Sequence, residues 1–74
     1  MADFVLDARG LKCPQPQLRM SIQVTKMKAG EVLEVVADCD TFEQDIRNWC
    51  VRNKKSLLWM KAEGEHGRRC QIRL

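Results

Sequence analysis

Four cysteines, at positions 13, 39, 50 and 70, and one histidine, His66, carry most of the nucleophilic and metal-binding chemistry this sequence can offer. Cys13 is set apart by the two prolines beyond it, in the run Cys13-Pro14-Gln15-Pro16. Pro14 disfavours α geometry at the residue before it and suits the first position of a helix, so the sequence predicts Cys13 at a helix N-cap. There the unpaired N–H groups of Gln15 or Gln17 and the positive end of the helix dipole favour a thiolate, with Lys12 alongside. A thiolate is the form of cysteine that attacks sulfane sulfur and disulfides. Gln15 precedes Pro16 and is also biased away from α geometry, so an irregular first turn is expected. Neither proline removes a helical hydrogen bond, because first-turn N–H groups have no partner within the helix. Together they make a stiff pedestal for the sulfur.

The other cysteines read differently. Cys50 shares a helical face with Phe42, Ile46 and Trp49, and Cys70 shares a strand face with Ile72 and Leu74, so both are expected in the core. Cys39 lies in a connection and is a candidate second thiol. The sequence contains no Cys-x-x-Cys pair and a single histidine, which argues against a metal site. No histidine is placed by sequence beside Cys13, so a Cys-His pair of protease type lacks its base. His66 is expected on an exposed hairpin. Trp49 and Trp59 are expected as packing residues rather than stacking platforms.

These residues need elements to position them. Residues 4–8 form a short apolar run closed by Arg9-Gly10 and predict a first strand. Pro16, Met20, Val24 and Met27 recur at helical spacing, and Ala29-Gly30 supplies a stop, predicting a helix over 14–28. Residues 31–37 are rich in β-branched side chains and predict a largely buried second strand. Asp40 with Glu43 three residues on has the form of a capping box and opens a second predicted helix over 41–53, with Asn53 on the face of Phe42 and Trp49. Residues 56–62 predict a third strand, 63–67 a hairpin turn, and 68–74 a fourth strand with Cys70, Ile72 and Leu74 on one face and Arg69, Gln71 and Arg73 on the other. The order βαβαββ predicts an α+β fold: a two-layer α/β sandwich with two helices on one face of a four-stranded mixed sheet. A right-handed parallel crossover between the first two strands puts their C-terminal ends, and with them Cys13 and Cys39, at one sheet edge.

A chain of 74 residues suits one domain, 1–74. Hydrophobic residues make up 45% and charged residues 31%, an ordinary globular balance that excludes a disordered or low-complexity chain. The N-terminal residues show no signal-peptide pattern and no segment suits a membrane span, so a cytoplasmic location and no membrane partner are expected. In that reducing compartment four cysteines are not expected to form a disulfide framework. The net charge of +3 favours acidic partners, with Arg9, Lys12 and Arg19 around the first cysteine as candidate docking residues.

The chain resembles the TusA/SirA-like sulfur carriers through Leu6-Asp7-Ala8-Arg9-Gly10-Leu11-Lys12-Cys13-Pro14-Gln15-Pro16. The resemblance continues in Met27-Lys28-Ala29-Gly30-Glu31, in Val36-Ala37-Asp38 leading to Asp45-Ile46, in Trp49-Cys50 and in Cys70-Gln71-Ile72-Arg73. It implies the βαβαββ fold and a persulfide on Cys13, with Asp7, Gly10, Pro14 and Pro16 as supporting motif residues. It implies a cysteine desulfurase or rhodanese-like donor and an acceptor sulfurtransferase, with the sulfur held covalently and no separate cofactor. The destination it implies is tRNA thiolation, cofactor maturation or sulfur oxidation. One position departs from the family pattern: Cys39 stands where a further Asp is usual.

Two other functions compete with a carrier that performs sulfurtransferase-type half-reactions without being a complete enzyme. One is a nucleic-acid-binding module, suggested by the positive charge and by the resemblance of this fold to the C-terminal domain of translation initiation factor 3. Fold likeness is weak support for it, and nucleic-acid binding is not expected. The other is a dithiol redox protein using Cys13 and Cys39.

Overall fold

The β-branched run Val32-Leu-Glu-Val-Val-Ala37 forms the strand on which the molecule is built. The structure, a computed structural model, describes residues 2–12 and 15–74. Its elements are β1 (Phe4–Asp7), α1 (Gln15–Val24), β2 (Val32–Ala37), α2 (Phe42–Asn53), β3 (Ser56–Glu63) and β4 (Gly67–Arg73). They make one four-stranded sheet in the order β1-β2-β4-β3. β1 runs parallel to β2, with Leu6 opposite Val35, while β4 lies antiparallel to both β2 and β3. This is the α+β sandwich with an open mixed sheet expected from the order of elements.

Alternation in β2 and β4 divides the sheet into two unlike faces. Leu33, Val35, Cys70 and Ile72 are fully buried and pack in one cluster with Met20 of α1 and Phe42, Ile46, Trp49 and Cys50 of α2. Burying a side chain such as Phe42 contributes about 1.5–3 kcal/mol, so the facing stripes of the two helices account for their position. The other face carries a polar chain. Trp59 Nε1 donates to Gln71 Oε1 at 3.2 Å, and Gln71 Nε2 donates to Glu34 Oε1 at 2.8 Å. The Arg69 guanidinium binds Glu34 of β2 and both carboxylate oxygens of Glu63 in β3. β4 is thereby joined to each neighbour by side chains as well as by its ladder.

Three local expectations are corrected. α1 ends at Val24 rather than 28, because the N–H groups of Thr25, Lys26 and Met27 turn to carbonyls three residues back and the Thr25 hydroxyl donates to Ile22 O at 2.6 Å. That closes the helix in a tighter turn, which still brings Met27 against the core. Asp40 is not the cap of α2. Thr41 holds the N-cap position, its carbonyl accepts the Asp45 N–H at 2.9 Å and its hydroxyl donates to Asp45 Oδ2 at 2.7 Å. Asn53 is exposed rather than on the buried face, and its amide donates to Trp49 O at 2.9 Å. Lys54 then stops the helix in the left-handed conformation, φ 57°, as the N–H groups of the cap return to the carbonyls of Cys50 and Val51.

Candidate functional site

Because β1 and β2 are parallel, the loops that leave them emerge side by side. The β1–α1 loop turns at Gly10, whose φ of 85° lies where a side chain is strained, so glycine is required there. Its N–H donates to Asp38 Oδ1 of the β2–α2 loop at 3.0 Å, and two residues earlier on each segment Ala8 N–H donates to Val36 O at 2.7 Å. The two loops are thus fastened at a defined separation. Between them opens a cavity of about 630 Å³, lined by Gly10, Leu11 and Lys12, by Asp38, Cys39, Asp40 and Thr41, and by His66.

Asp7 begins this loop in a second, local way. Its carboxylate accepts the Arg9 backbone N–H at 3.1 Å and two bonds from the Arg9 guanidinium at 3.0 and 2.8 Å. Those guanidinium bonds first, and the backbone bond next, hold the Asp7 carboxyl down at about 2. Beyond Gly10 the Gln15 N–H donates to Lys12 O at 2.7 Å. Pro16 is buried beneath the first turn of α1.

Cys13 and Pro14 lie outside the described residues. Their immediate neighbours on both sides are described, and Lys12 lines the cavity together with Cys39. The Cys39 sulfur is 3.7 Å from Thr41 Oγ1. Cys39 also lines a smaller cavity of about 350 Å³ with Glu43, Glu65, His66 and Arg68, in which Arg68 Nε lies 3.6 Å from Glu43 Oε1. Of the expected docking cations, Arg9 is already paired with Asp7, Lys12 borders the cavity, and Arg19 stands exposed on α1.

Cys50 and Cys70 are free, buried and remote from this chemistry by environment. Burial pushes both thiols up, Cys70 to about 12, which keeps them protonated. No group of three or more His, Cys, Asp or Glu side chains among the described residues is placed to hold a metal ion. No helix among them is long and apolar enough to cross a membrane.

His66 was legible in sequence as an exposed hairpin residue, and it is exposed. Its place in the cavity comes from register: β4 pairs antiparallel with β2, Ala37 opposite Arg68, which carries the β3–β4 turn to the edge where Asp38 lies. The antiparallel register is the signal that locates it.

Residues 4–73 match the protein family described as "Sulfurtransferase TusA". The chain belongs to the TusA family. Its curated relatives include YrkF of Bacillus subtilis (strain 168), by its name a candidate sulfur carrier, 39% identical over 64 residues that make up 86% of this chain and 35% of that protein. A candidate sulfur carrier of Aquifex aeolicus (strain VF5) is 39% identical over 66 residues, 89% of this chain and 32% of that one. The chain therefore spans about a third of the length of these relatives. A crystal structure of a SirA-like protein from Desulfitobacterium hafniense has the same fold, with a TM-score of 0.82 over 95% of each chain at 21% identity. In this TusA-family chain the loops bearing the motif and Cys39 are those that bound the larger cavity.

Proposed function

We propose that this protein carries sulfur as a persulfide on Cys13. The observation that carries the reading is the Cys13-Pro14-Gln15-Pro16 motif, seated within the family match between the fastened β1–α1 loop and α1. The Cys13 thiolate attacks the terminal sulfur of a donor persulfide; a bond forms to Cys13 Sγ, the donor's S–S bond breaks, and the donor cysteine leaves as a thiolate. Transfer to an acceptor repeats the exchange, with the acceptor thiolate attacking the sulfane sulfur and Cys13 leaving. No net oxidation occurs and no separate cofactor is needed. The donor is a cysteine desulfurase or rhodanese-like protein and the acceptor a sulfurtransferase in a cytoplasmic relay.

Cys39 favours a second reading, because it borders the same cavity as Lys12. On that reading Cys13 and Cys39 form a dithiol redox couple with a defined reduction potential. Intact-mass measurement after exposure to a sulfane-sulfur donor separates the two. The carrier gains the mass of one sulfur atom on the wild type and on Cys39→Ser, and none on Cys13→Ser. Full loading of Cys13→Ser would defeat the carrier reading, and loss of two hydrogens without added sulfur would support the redox couple.

A further inference from the structure

The cysteines outside the motif are in two different states. Cys50 and Cys70 are free and buried in the core, whereas Cys39 is disulfide-bonded. The sequence has four cysteines, so Cys13 is the thiol that remains to pair with it. The site agrees with that pairing. Lys12, which precedes Cys13, and Cys39 line one cavity, and the loops that carry them are fastened by the 3.0 Å bond from the Gly10 N–H to Asp38 Oδ1. Cys39 is half-buried there, with its sulfur 3.7 Å from Thr41 Oγ1. A single bond at the chemical site is a reactive pair rather than a structural framework. The two cysteines also differ in the charges beside them. Cys39 stands between Asp38 and Asp40 in sequence, whereas Lys12 adjoins Cys13. An anionic persulfide is therefore favoured on Cys13 over Cys39.

We infer that Cys39 is the resolving thiol for a persulfide on Cys13, which gives the protein a second activity, the release of carried sulfur as hydrosulfide. The inference rests on the carrier reading and names a fate for the sulfur when no acceptor protein takes it. The Cys39 proton passes to the terminal sulfur of the persulfide, and the Cys39 thiolate attacks Cys13 Sγ. A bond forms between the two cysteine sulfurs, the bond from Cys13 Sγ to the sulfane sulfur breaks, and that sulfur leaves with the electron pair as hydrosulfide. The sulfane sulfur is reduced to sulfide while the two cysteines are oxidised to a disulfide. An external dithiol reductant returns the disulfide to two thiols and reopens Cys13 for loading. Because both groups belong to one chain and one cavity edge, the release step is first order and independent of protein concentration. Cys50 and Cys70 do not compete for the role, since burial keeps both protonated and out of reach.

The test follows a single discharge. Protein reduced with a phosphine and desalted is loaded from glutathione persulfide, which leaves glutathione rather than hydrosulfide as its by-product. After a second desalting, intact mass and hydrosulfide are measured over time. Wild type should lose the added sulfur and end two hydrogens lighter than the reduced chain, with an equivalent of hydrosulfide released and the bridge mapping to Cys13 and Cys39. Cys39→Ser should hold the added sulfur about tenfold longer or more and form no bridge. Cys39→Asp, which installs the residue usual at that position in the family, should behave in the same way and keeps the result from depending on how one variant folds. Equal persulfide lifetimes in the wild type and both variants would overturn the inference and leave the carrier reading intact. Recovery of the added sulfur on Cys39 would also overturn it, since the thiol would then relay sulfur instead of expelling it. A bridge formed without hydrosulfide would overturn it in favour of a simple redox couple. Failure of the wild type and both variants to gain sulfur at any time would sink the carrier reading and this one with it.

Discussion

Asp38 Oδ1 accepts the backbone N–H of Gly10 at 3.0 Å, tying together two loops whose residues are 28 apart in sequence. A carboxylate receiving a backbone N–H makes a charge-assisted bond, stronger than its neutral counterpart. Replacing Asp38 with Ala should cost about 1 kcal/mol in urea unfolding and slow sulfur loading of Cys13 several-fold, because the motif loop loses its anchor. Asp38→Asn, which keeps an acceptor, should recover most of both. Unchanged loading in Asp38→Ala would show that the bond serves only the fold.

The Asp7–Arg9 pair sets a pH dependence in the acid range. Its guanidinium and backbone partners lower the Asp7 carboxyl from the ordinary 3.8 to about 2. A lowered folded-state value contributes stability that is present above the ordinary value and is lost as the pH falls through about 2. The pair is exposed, so the loss is local: the Arg9 amide resonance should titrate near pH 2 in the wild type and not in Asp7→Asn. A midpoint near 3.8 would mean that the pair does not persist in solution.

Cys70 predicts the alkaline limb. Burial raises its thiol from 9.0 to about 12. The unfolded chain ionises it first, so its contribution is complete below pH 9.0 and declines as the pH rises toward about 12. Under native conditions near pH 8, Cys50 and Cys70 should resist iodoacetamide and become modified only on unfolding, since the thiolate is the reactive form. Rapid native labelling of either would contradict the buried placement.

On the open face of the sheet Arg69 links Glu34 and Glu63, with side chains 25%, 15% and 37% exposed. Arg69→Met should destabilise the fold by about 1–2 kcal/mol, chiefly by leaving the half-buried Glu34 without its cation. Arg69→Lys should restore little, because an ammonium does not reproduce the planar fork that engages two carboxylates. Thermal or urea unfolding of the three proteins checks the order.

The order of elements and the inward faces were legible because each is a local signal. β-branched residues at 32–36 and apolar spacing through Phe42, Ile46 and Trp49 reported strand and helix; that helical spacing placed Cys50 in the core, and strand alternation with Ile72 and Leu74 placed Cys70 there. The end of α1 and the cap of α2 were not legible. Thr25 and Thr41 each chose among several hydrogen-bond partners within four residues, and sequence pattern does not rank such choices. Arg9 was open to reading as a docking cation, yet its guanidinium and backbone N–H are bonded to Asp7 two residues away.

From residue types alone came the distinctive chemistry of Cys13: its flanking prolines and the family motif are properties of contiguous sequence, independent of what lies across the sheet. What tertiary structure decided was the company kept by that motif. Parallel pairing of β1 with β2 joined Gly10 to Asp38 and put Lys12 and Cys39 on one cavity, antiparallel pairing of β4 added His66, and packing of Met20 inward left Leu18 and Ile22 outward. Such juxtapositions depend on strand register and on burial of the whole core, so they exist only once the chain has folded.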